Sequence, residues 1–257
     1  HIVVALVLVL MGDIRITGLH GIFGVSDIPY WGSVFLSIFT YVVVVNSFNL
    51  IDGVDGLAAG VGLISCCAFG TWFIFANEYP YAALSFALGG ALLGFLIFNF
   101  SPAKIFMGDS GSLIIGMFVC VLAIKMIEYP IQQLTPFWVK VSKPVFAISA
   151  LIYPLLDTLR VFIIRAVKGQ SPFTADRNHL HHKLLDCKFS HSKTVIIIYI
   201  FSVFTIGASV LTFFSTAPTI SLFTVMFSGL VFLALVMRLN ARKAKSRHSH
   251  THAATTH

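Results

Sequence analysis

The chain has 257 residues, of which 57% are hydrophobic and only 11% charged, and its mean hydropathy is +0.91. Soluble domains carry about a quarter of charged residues, so this composition excludes an ordinary soluble domain and indicates a polytopic membrane protein. The 17 lysines and arginines outnumber the 10 aspartates and glutamates, but the basic residues form no pattern typical of nucleic-acid binding.

The apolar segments predict an all-α fold, a bundle of transmembrane helices, because a spanning helix needs about 20 mostly apolar residues. An apolar stub over 2–11 leads into a glycine-rich stretch over 12–32, which favours turns or a short hairpin outside the bilayer. The chain begins inside the stub without Met or a charged flank, so we expect an N-terminally truncated sequence. Seven full spans follow, predicted at 34–50, 57–76, 82–99, 112–127, 144–164, 194–214 and 220–237.

The positive charges predict the orientation of these spans. Alternation puts the loops 46–56, 99–111 and 165–193 and the C-terminal tail on one face, which we expect to be cytoplasmic because cytoplasmic loops carry the excess of Lys and Arg. We expect one domain over 1–237 in the cell (inner) membrane, followed over 238–257 by a disordered, basic and histidine-rich cytoplasmic tail near anionic lipid. Of the 17 basic residues, all lie on the first face except Arg15, Lys125, Lys140 and Lys143.

The first polar motif lies between two predicted spans, over 46–60, and reads Asn-Ser-Phe-Asn-Leu-Ile-Asp-Gly-Val-Asp-Gly-Leu-Ala-Ala-Gly. Asp52 and Asp55 are each followed by glycine, so the backbone can turn tightly and approach a ligand. Ionisable groups at the end of a span are costly unless they pair, face water or bind something, although carboxylates at a helix start are also common caps. Asn46 and Asn49, on the preceding helical turn, favour a site.

The second motif covers 99–112 and reads Asn-Phe-Ser-Pro-Ala-Lys-Ile-Phe-Met-Gly-Asp-Ser-Gly-Ser. Its glycines and the start of the next helix present backbone N–H groups to an anion, and Asp109 offers hard carboxylate oxygens to Mg²⁺. The same residues would also make a good turn and cap. Their recurrence on the same face as the first motif favours a site.

The third motif covers 171–183, in the longest and most basic loop of the same face. His179, His181 and His182 follow Asp176 and Arg177, and such a cluster can bind phosphates, transfer protons or ligate a transition metal. No cysteine accompanies the histidines, and the surrounding Arg and Lys residues favour a diphosphate.

Together, over about 42–185, the three motifs resemble the polyprenyl-phosphate N-acetylhexosamine-1-phosphate transferases, a glycosyltransferase 4-like membrane family. The matching runs are Asn-x-x-Asn-x-x-Asp-Gly-x-Asp-Gly-Leu-Ala, Pro-Ala-x-x-Phe-Met-Gly-Asp-x-Gly-Ser and a late histidine motif, in the family's order. The His-x-His-His form after Asp-Arg resembles the branch that joins UDP-N-acetylglucosamine to undecaprenyl phosphate. The muramoyl-pentapeptide branch, with three consecutive histidines, is the alternative.

The resemblance implies transfer of an N-acetylhexosamine-1-phosphate, most simply GlcNAc-1-phosphate, from a UDP-sugar to a polyprenyl phosphate, with release of UMP. It implies Mg²⁺, with Mn²⁺ as an alternative, the first step of a lipid-linked cell-wall or lipopolysaccharide glycan, and it allows a homodimer. The implied catalytic residues are Asp52, Asp109 as the metal ligand, His179, His181 and His182. The implied substrate-binding residues are Asn46, Lys104, Asn49, Asp55 and Phe106, the last three at the uridine, and Arg177, which joins the histidines at the diphosphate.

This chain departs from the family in one respect. Family members also carry an Asp-Asp pair and an upstream lysine on earlier cytoplasmic loops, and this chain contains no Asp-Asp pair. We expect both to precede His1, and we expect this chain alone to be weakly active or inactive.

Two other classes of membrane protein remain as alternatives. A transporter is one, because polar residues at helix ends also mark ion pathways. Asp157 is the ambiguous residue there, and we expect it to pair with Arg160 within its span. A CDP-alcohol phosphotransferase is the other, but no arginine follows the Asp-Gly run of the first motif.

Overall fold

The computed structural model describes the backbone of residues 1–169, 179–212 and 217–254, with side chains as far as Arg242. In these ranges the chain is helical, and its one β-type contact is an isolated bridge between Gly18 and Asp27. The all-α prediction is therefore confirmed. The helices are α1 (Ile2–Leu6), α2 (Tyr30–Ile51), α3 (Leu57–Phe75), α4 (Tyr79–Asn99), α5 (Gly108–Ile127), α6 (Pro136–Lys140), α7 (Lys143–Ala150), α8 (Ile152–Val167), α9 (Leu180–Asp186), α10 (His191–Leu211) and α11 (Pro218–Ala254).

Six of the described helices are long and apolar enough to cross a membrane, namely α2, α3, α4, α5, α10 and residues Pro218–Arg242 of α11. The bent pair α7 and α8 makes a seventh if it counts as one span, and the first helical segment, Ile2–Met11, is shorter. Large apolar side chains such as Phe35, Ile97 and Phe227 are about 70% exposed on the outside of the bundle, where lipid can cover them. The chain is thus a multi-pass membrane protein.

The predicted span over 144–164 is not one straight helix. It breaks at Leu151, whose φ of −109° and ψ of 5° are not helical, and α8 leaves α7 at an angle of 73°. Pro154 has no N–H to donate to the carbonyl of Ala150 four residues earlier, so a helix cannot run through this point undisturbed. Ser65 of α3 donates to that freed carbonyl at 2.9 Å, so the carbonyl of Ala150 keeps a hydrogen-bond donor.

The core of the bundle is built on two helix pairs, α3 with α4 and α2 with α5. Glycine allows α2 and α5 to approach closely, since a Cβ added at Gly116 would lie 2.8 Å from Cα of Val45. Fully buried aromatic rings, Tyr41 and Phe48 on α2 and Trp72 on α3, fill the space around these contacts. Small residues at helix crossings are a common solution in membrane bundles.

The stretch over 12–32 forms the hairpin that its glycines predict, at the end of the bundle where α2 begins and α5 ends. Glu128, just after α5, accepts hydrogen bonds from the backbone N–H and hydroxyl of Thr17 and lies 3.1 Å from His20 Nε2. These residues line a cavity of about 810 Å³ together with Asp27 and Lys143. We call this the hairpin end.

The last helix, α11, extends from Pro218 to Ala254, through the part of the chain where a disordered tail is expected from Arg238 onward. Alanine, lysine and arginine, which have high helix propensities, are frequent there. The helix that crosses the membrane can therefore continue beyond its apolar part, and the tail differs from the expectation as far as Ala254.

Candidate active site

The turn between α2 and α3 is fixed by hydrogen bonds from two distant parts of the chain. Gly56 adopts a φ of +80°, which favours glycine, and its N–H donates to Asn99 Oδ1 at 3.0 Å. Its carbonyl accepts a hydrogen bond from the Tyr199 hydroxyl of α10. These bonds hold the turn that carries Asp52 and Asp55.

Asn49 links the first motif to the start of α5 in the second. Asn49 Nδ2 donates to Asp109 Oδ1 at 3.0 Å and to Ser112 Oγ at 3.1 Å. Asp109 lies exposed in the first turn of α5, where the helix dipole favours a negative charge. The structure therefore brings Asn49 and Asp109 together with Ser112, the last residue of the second motif.

Asp52 is the second carboxylate of this group, at the C-terminal end of α2, and it is half-buried. Burial, and then the negative charge of Asp109, raise the pKa of the Asp52 carboxyl from 3.8 to about 6. A carboxyl group whose pKa is raised by a neighbouring carboxylate lies where a cation is favourable. We call Asn49, Asp52, Asp109 and Ser112 the carboxylate cluster.

The loop of the second motif lies against the same turn. The backbone N–H of Ala103 donates to Asp55 Oδ2 at 3.1 Å, so part of the Asp55 carboxylate is engaged within the protein. Asn99 also stabilises the loop, because its Nδ2 donates to the carbonyl of Ile105 at 2.9 Å. Phe106 is 79% exposed and Lys104 is also exposed, so both side chains are accessible to a ligand.

The histidine motif meets the first motif at Gly53. A Cβ added at Gly53 would lie 3.4 Å from His181 Nε2, an ordinary van der Waals distance, so the imidazole lies directly against the turn. His179 and His181 are buried and stack at 5.3 Å between ring centroids, with the ring of His182 4.4 Å from that of His181. The first two motifs and the described part of the third, from His179 onward, therefore meet at one end of the bundle, opposite the hairpin end.

Asp157 holds the histidine motif from α8. Its Oδ1 accepts the backbone N–H of Leu180 at 2.7 Å, and its Oδ2 lies 3.2 Å from His179 Nδ1 and 3.5 Å from His181 Nδ1. The expected pairing with Arg160 is thus wrong, because these three groups are the described partners of Asp157. Arg160 Nη2 instead approaches Met237 Sδ at 3.6 Å.

Two of the predicted site residues, Asn46 and Arg177, are not seen in contact with the carboxylate cluster or the histidine motif. Asn46 turns back to its own helix, with Nδ2 donating to the carbonyl of Val42 at 2.7 Å and lying 3.3 Å from His1 Nε2. Arg177 lies outside the described residues. Asn99 and Tyr199 were not singled out as supports of the turn, although an asparagine at the end of an apolar helix was a usable signal.

The oxygen donors of the carboxylate cluster could hold a hard cation such as Mg²⁺. The described residues contain no group of three or more His, Cys, Asp or Glu side chains arranged to hold a metal ion. Mg²⁺ is commonly bound through one or two carboxylates plus substrate phosphates and water, so it does not need such a group. Asp52 and Asp109, with oxygen ligands only, match that donor set.

Comparison with known proteins extends the resemblance carried by the motifs. The family model described as glycosyl transferase family 4 matches residues 1–127, which include the carboxylate cluster. The chain belongs to this family. The matched region ends before Asp157, the histidine motif and Tyr199, which all lie in the second half of the chain.

Individual relatives agree with the family match. The chain is 37% identical, over 73% of its length and 49% of the relative, to the decaprenyl-phosphate N-acetylglucosaminephosphotransferase of Mycolicibacterium smegmatis. It is 36% identical to the Mycobacterium tuberculosis protein of that name, over 80% of this chain and 54% of the relative. A probable undecaprenyl-phosphate N-acetylglucosaminyl 1-phosphate transferase of Bacillus subtilis is 34% identical, over 80% and 55%. The chain therefore spans about half the length of these relatives.

Proposed function

We propose that this protein transfers N-acetylglucosamine-1-phosphate from UDP-N-acetylglucosamine to a polyprenyl phosphate, releasing UMP. The carboxylate cluster, facing the histidine motif across Gly53, supports the proposal because it combines a cation site with groups that can bind phosphate. The names of the relatives support the lipid and the sugar. The product, a polyprenyl-diphospho-sugar, would be the first intermediate of a lipid-linked cell-wall or lipopolysaccharide glycan.

In this reaction the protein mainly has to position the two substrates and offset their negative charges. An oxygen of the lipid phosphate attacks the phosphorus that carries the sugar, and the bond from that phosphorus to the bridging oxygen of UMP breaks. Both reactants are anions, so they must be aligned and their repulsion offset. Mg²⁺, when bound, supplies positive charge between the phosphates, and Asp52 and Asp109 would hold it, with Mn²⁺ as the alternative.

The other residues of the site have separate parts in this proposal. Asn49 holds the Asp109 carboxylate in place through its amide N–H. His179, His181 and His182, together with Arg177, would bind the diphosphate through N–H groups. Asp55 and Phe106 would contact the uridine, and the exposed ring of Phe106 is free to stack on a base. The site would lie on the cytoplasmic face of the cell (inner) membrane, because UDP-sugars are made in the cytoplasm.

The test is UMP release by the detergent-solubilised protein, supplied with undecaprenyl phosphate, Mg²⁺ and one UDP-sugar at a time. UDP-N-acetylglucosamine, UDP-N-acetylgalactosamine and UDP-muramoyl-pentapeptide distinguish the branches. Both this chain and a version extended upstream with the parent coding sequence are assayed, since the chain spans about half of its relatives. Size-exclusion chromatography with light scattering on the same samples reports whether the protein is a homodimer.

Matched carboxylate variants make the result specific. Asp109→Asn removes a charge from the carboxylate cluster, whereas Asp27→Asn removes an exposed charge at the hairpin end. We expect UMP from UDP-N-acetylglucosamine, loss of at least about 100-fold in Asp109→Asn, and no change in Asp27→Asn. No UMP from any sugar in the extended protein would overturn the proposal and favour a transporter, which uptake by proteoliposomes would then test.

A further inference from the structure

Asp157 is a buried carboxylate that the chemistry above does not use. It is fully buried on α8, yet both of its oxygens face the histidine motif. A buried carboxylate is costly unless donors satisfy it. Here the donors are the N–H of Leu180 and Nδ1 of His179, while Nδ1 of His181 lies 3.5 Å away without a hydrogen bond. All three groups belong to the segment that carries the predicted phosphate-binding groups.

The geometry fixes which nitrogen of each ring faces inward. The Nδ1 atoms of His179 and His181 lie 3.2 and 3.5 Å from the same oxygen, Asp157 Oδ2. The two rings are parallel within 5°, and in each ring Nε2 lies on the side away from the Nδ1 that faces Asp157. For His181, that direction leads to Gly53 and the turn that carries Asp52.

A carboxylate can only accept hydrogen bonds, so Nδ1 of His179 must carry a proton. The carboxylate also repels a lone pair, so a proton on Nδ1 is favoured in His181, whose Nδ1 lies 3.5 Å from the same oxygen. The hydrogen bond made by one nitrogen of a histidine determines what the other can do. With Nδ1–H directed at Asp157, Nε2 is left for the site, as a lone pair in the neutral ring and as a donor in the imidazolium. The donor form is the one that can bind a phosphate oxygen.

We propose that Asp157 is a positioning residue that sets the orientation and protonated nitrogen of His179 and His181, so that both Nε2 atoms face a phosphate bound at the Gly53 turn. This inference rests on the proposed function for its phosphate. It also gives the break at Leu151 a role, because α8 must leave the direction of α7 to bring Asp157 under the histidine motif.

Asp157→Asn tests the proposal with little change in shape. The asparagine Oδ1 can still accept a hydrogen bond from the Leu180 N–H, but its Nδ2 is a donor and cannot accept a hydrogen bond from His179 Nδ1–H. We expect kcat/KM for the UDP-sugar to fall by about 100-fold or more in the full-length protein, as for loss of a general acid or its orientation. The matched control is Glu128→Gln, which changes a carboxylate beside His20 at the hairpin end and should leave kcat/KM unchanged.

A double-mutant cycle separates positioning from a structural role. In a His179→Gln, His181→Gln background, Asp157→Asn should cause no further loss, because it acts only through those rings. A purely structural residue would lower activity by the same factor in both backgrounds, and that additivity would overturn the proposal.

Nitrogen-15 NMR of histidine-labelled protein in nanodiscs gives a readout that does not require turnover. In the wild type, the neutral rings of His179 and His181 should carry the proton on Nδ1, and Asp157→Asn should move it to Nε2 in His179. A wild-type ring protonated on Nε2 alone would refute the inference even if the variant fails to fold. If the full-length protein releases no UMP, the proposed function fails separately, and the NMR result still decides the position of the proton.

Discussion

Replacing Asp52 by asparagine should stabilise the metal-free protein near neutral pH and have little effect in acid. Burial and the charge of Asp109 raise the pKa of the Asp52 carboxyl from 3.8 to about 6. In the unfolded chain the same carboxyl ionises near its ordinary value, so between about pH 4 and 6 the folded protein binds a proton that the unfolded chain has lost. Stability therefore decreases as the pH rises through this window, and the whole penalty is present above about pH 6.

The size of the penalty follows from the same pKa. A rise from 3.8 to about 6 corresponds to about 3 kcal/mol if nothing screens the charge. Asp52 is only half-buried, so solvent screening reduces this figure to about 1 kcal/mol. For a chain of this size, about 1 kcal/mol raises the melting temperature by roughly 2–4 °C.

The assay is thermal unfolding in detergent with a chelator, followed by tryptophan fluorescence, at about pH 7.5 and about pH 4. Asp52→Asn should melt roughly 2–4 °C above the wild type at the higher pH, and most of the difference should vanish at the lower pH. Asp27→Asn, an exposed carboxylate at the hairpin end, is the control. Equal shifts at both pH values, or none at about pH 7.5, would refute the idea that charge repulsion at the carboxylate cluster opposes folding.

Three further predictions concern the same bundle. Mg²⁺ at ten times its Kd should stabilise the wild type by about 1.4 kcal/mol, and Asp109→Asn should abolish this in a melting assay; an equal gain in the variant would place the ion elsewhere. Gly116→Ala should lower stability by about 1–3 kcal/mol, because its Cβ would lie 2.8 Å from Cα of Val45; Gly90→Ala, in open space, is the control. Tyr199→Phe should cost about 1 kcal/mol through the lost hydrogen bond to Gly56, and an unchanged denaturant midpoint would contradict that.

The fold was largely predictable because the dominant signal is the length and hydrophobicity of each segment. Spans such as 57–76 and 82–99 agree with α3 and α4 to within a few residues at each end. The break at Leu151 was not predicted, because hydropathy is continuous across it and the effect of Pro154 depends on Ser65, a partner 85 residues from Ala150. Local sequence does not show such a compensation.

The carboxylate cluster shows the same limit. The spacing of Asp52, Asp55 and Asn49 predicted a shared site, since all three lie within two helical turns. The contact between Asp157 and His179 could not be read from the sequence, because it joins residues 22 apart through the bend in α8. An aspartate next to an arginine in an apolar span suggests a local ion pair, and only the tertiary structure reveals the other partner.

The contact between α10 and the start of α3 has an evolutionary consequence. A Cβ added at Gly60 would lie 1.7 Å from the Tyr199 hydroxyl, which is directed at the carbonyl of Gly56. A larger residue at position 60 is therefore compatible only with a different residue, or a displaced ring, at position 199. Positions 60 and 199 should accordingly co-vary among relatives, and chimeras that exchange the segment after residue 127 should fold well only when both parents carry a matching pair.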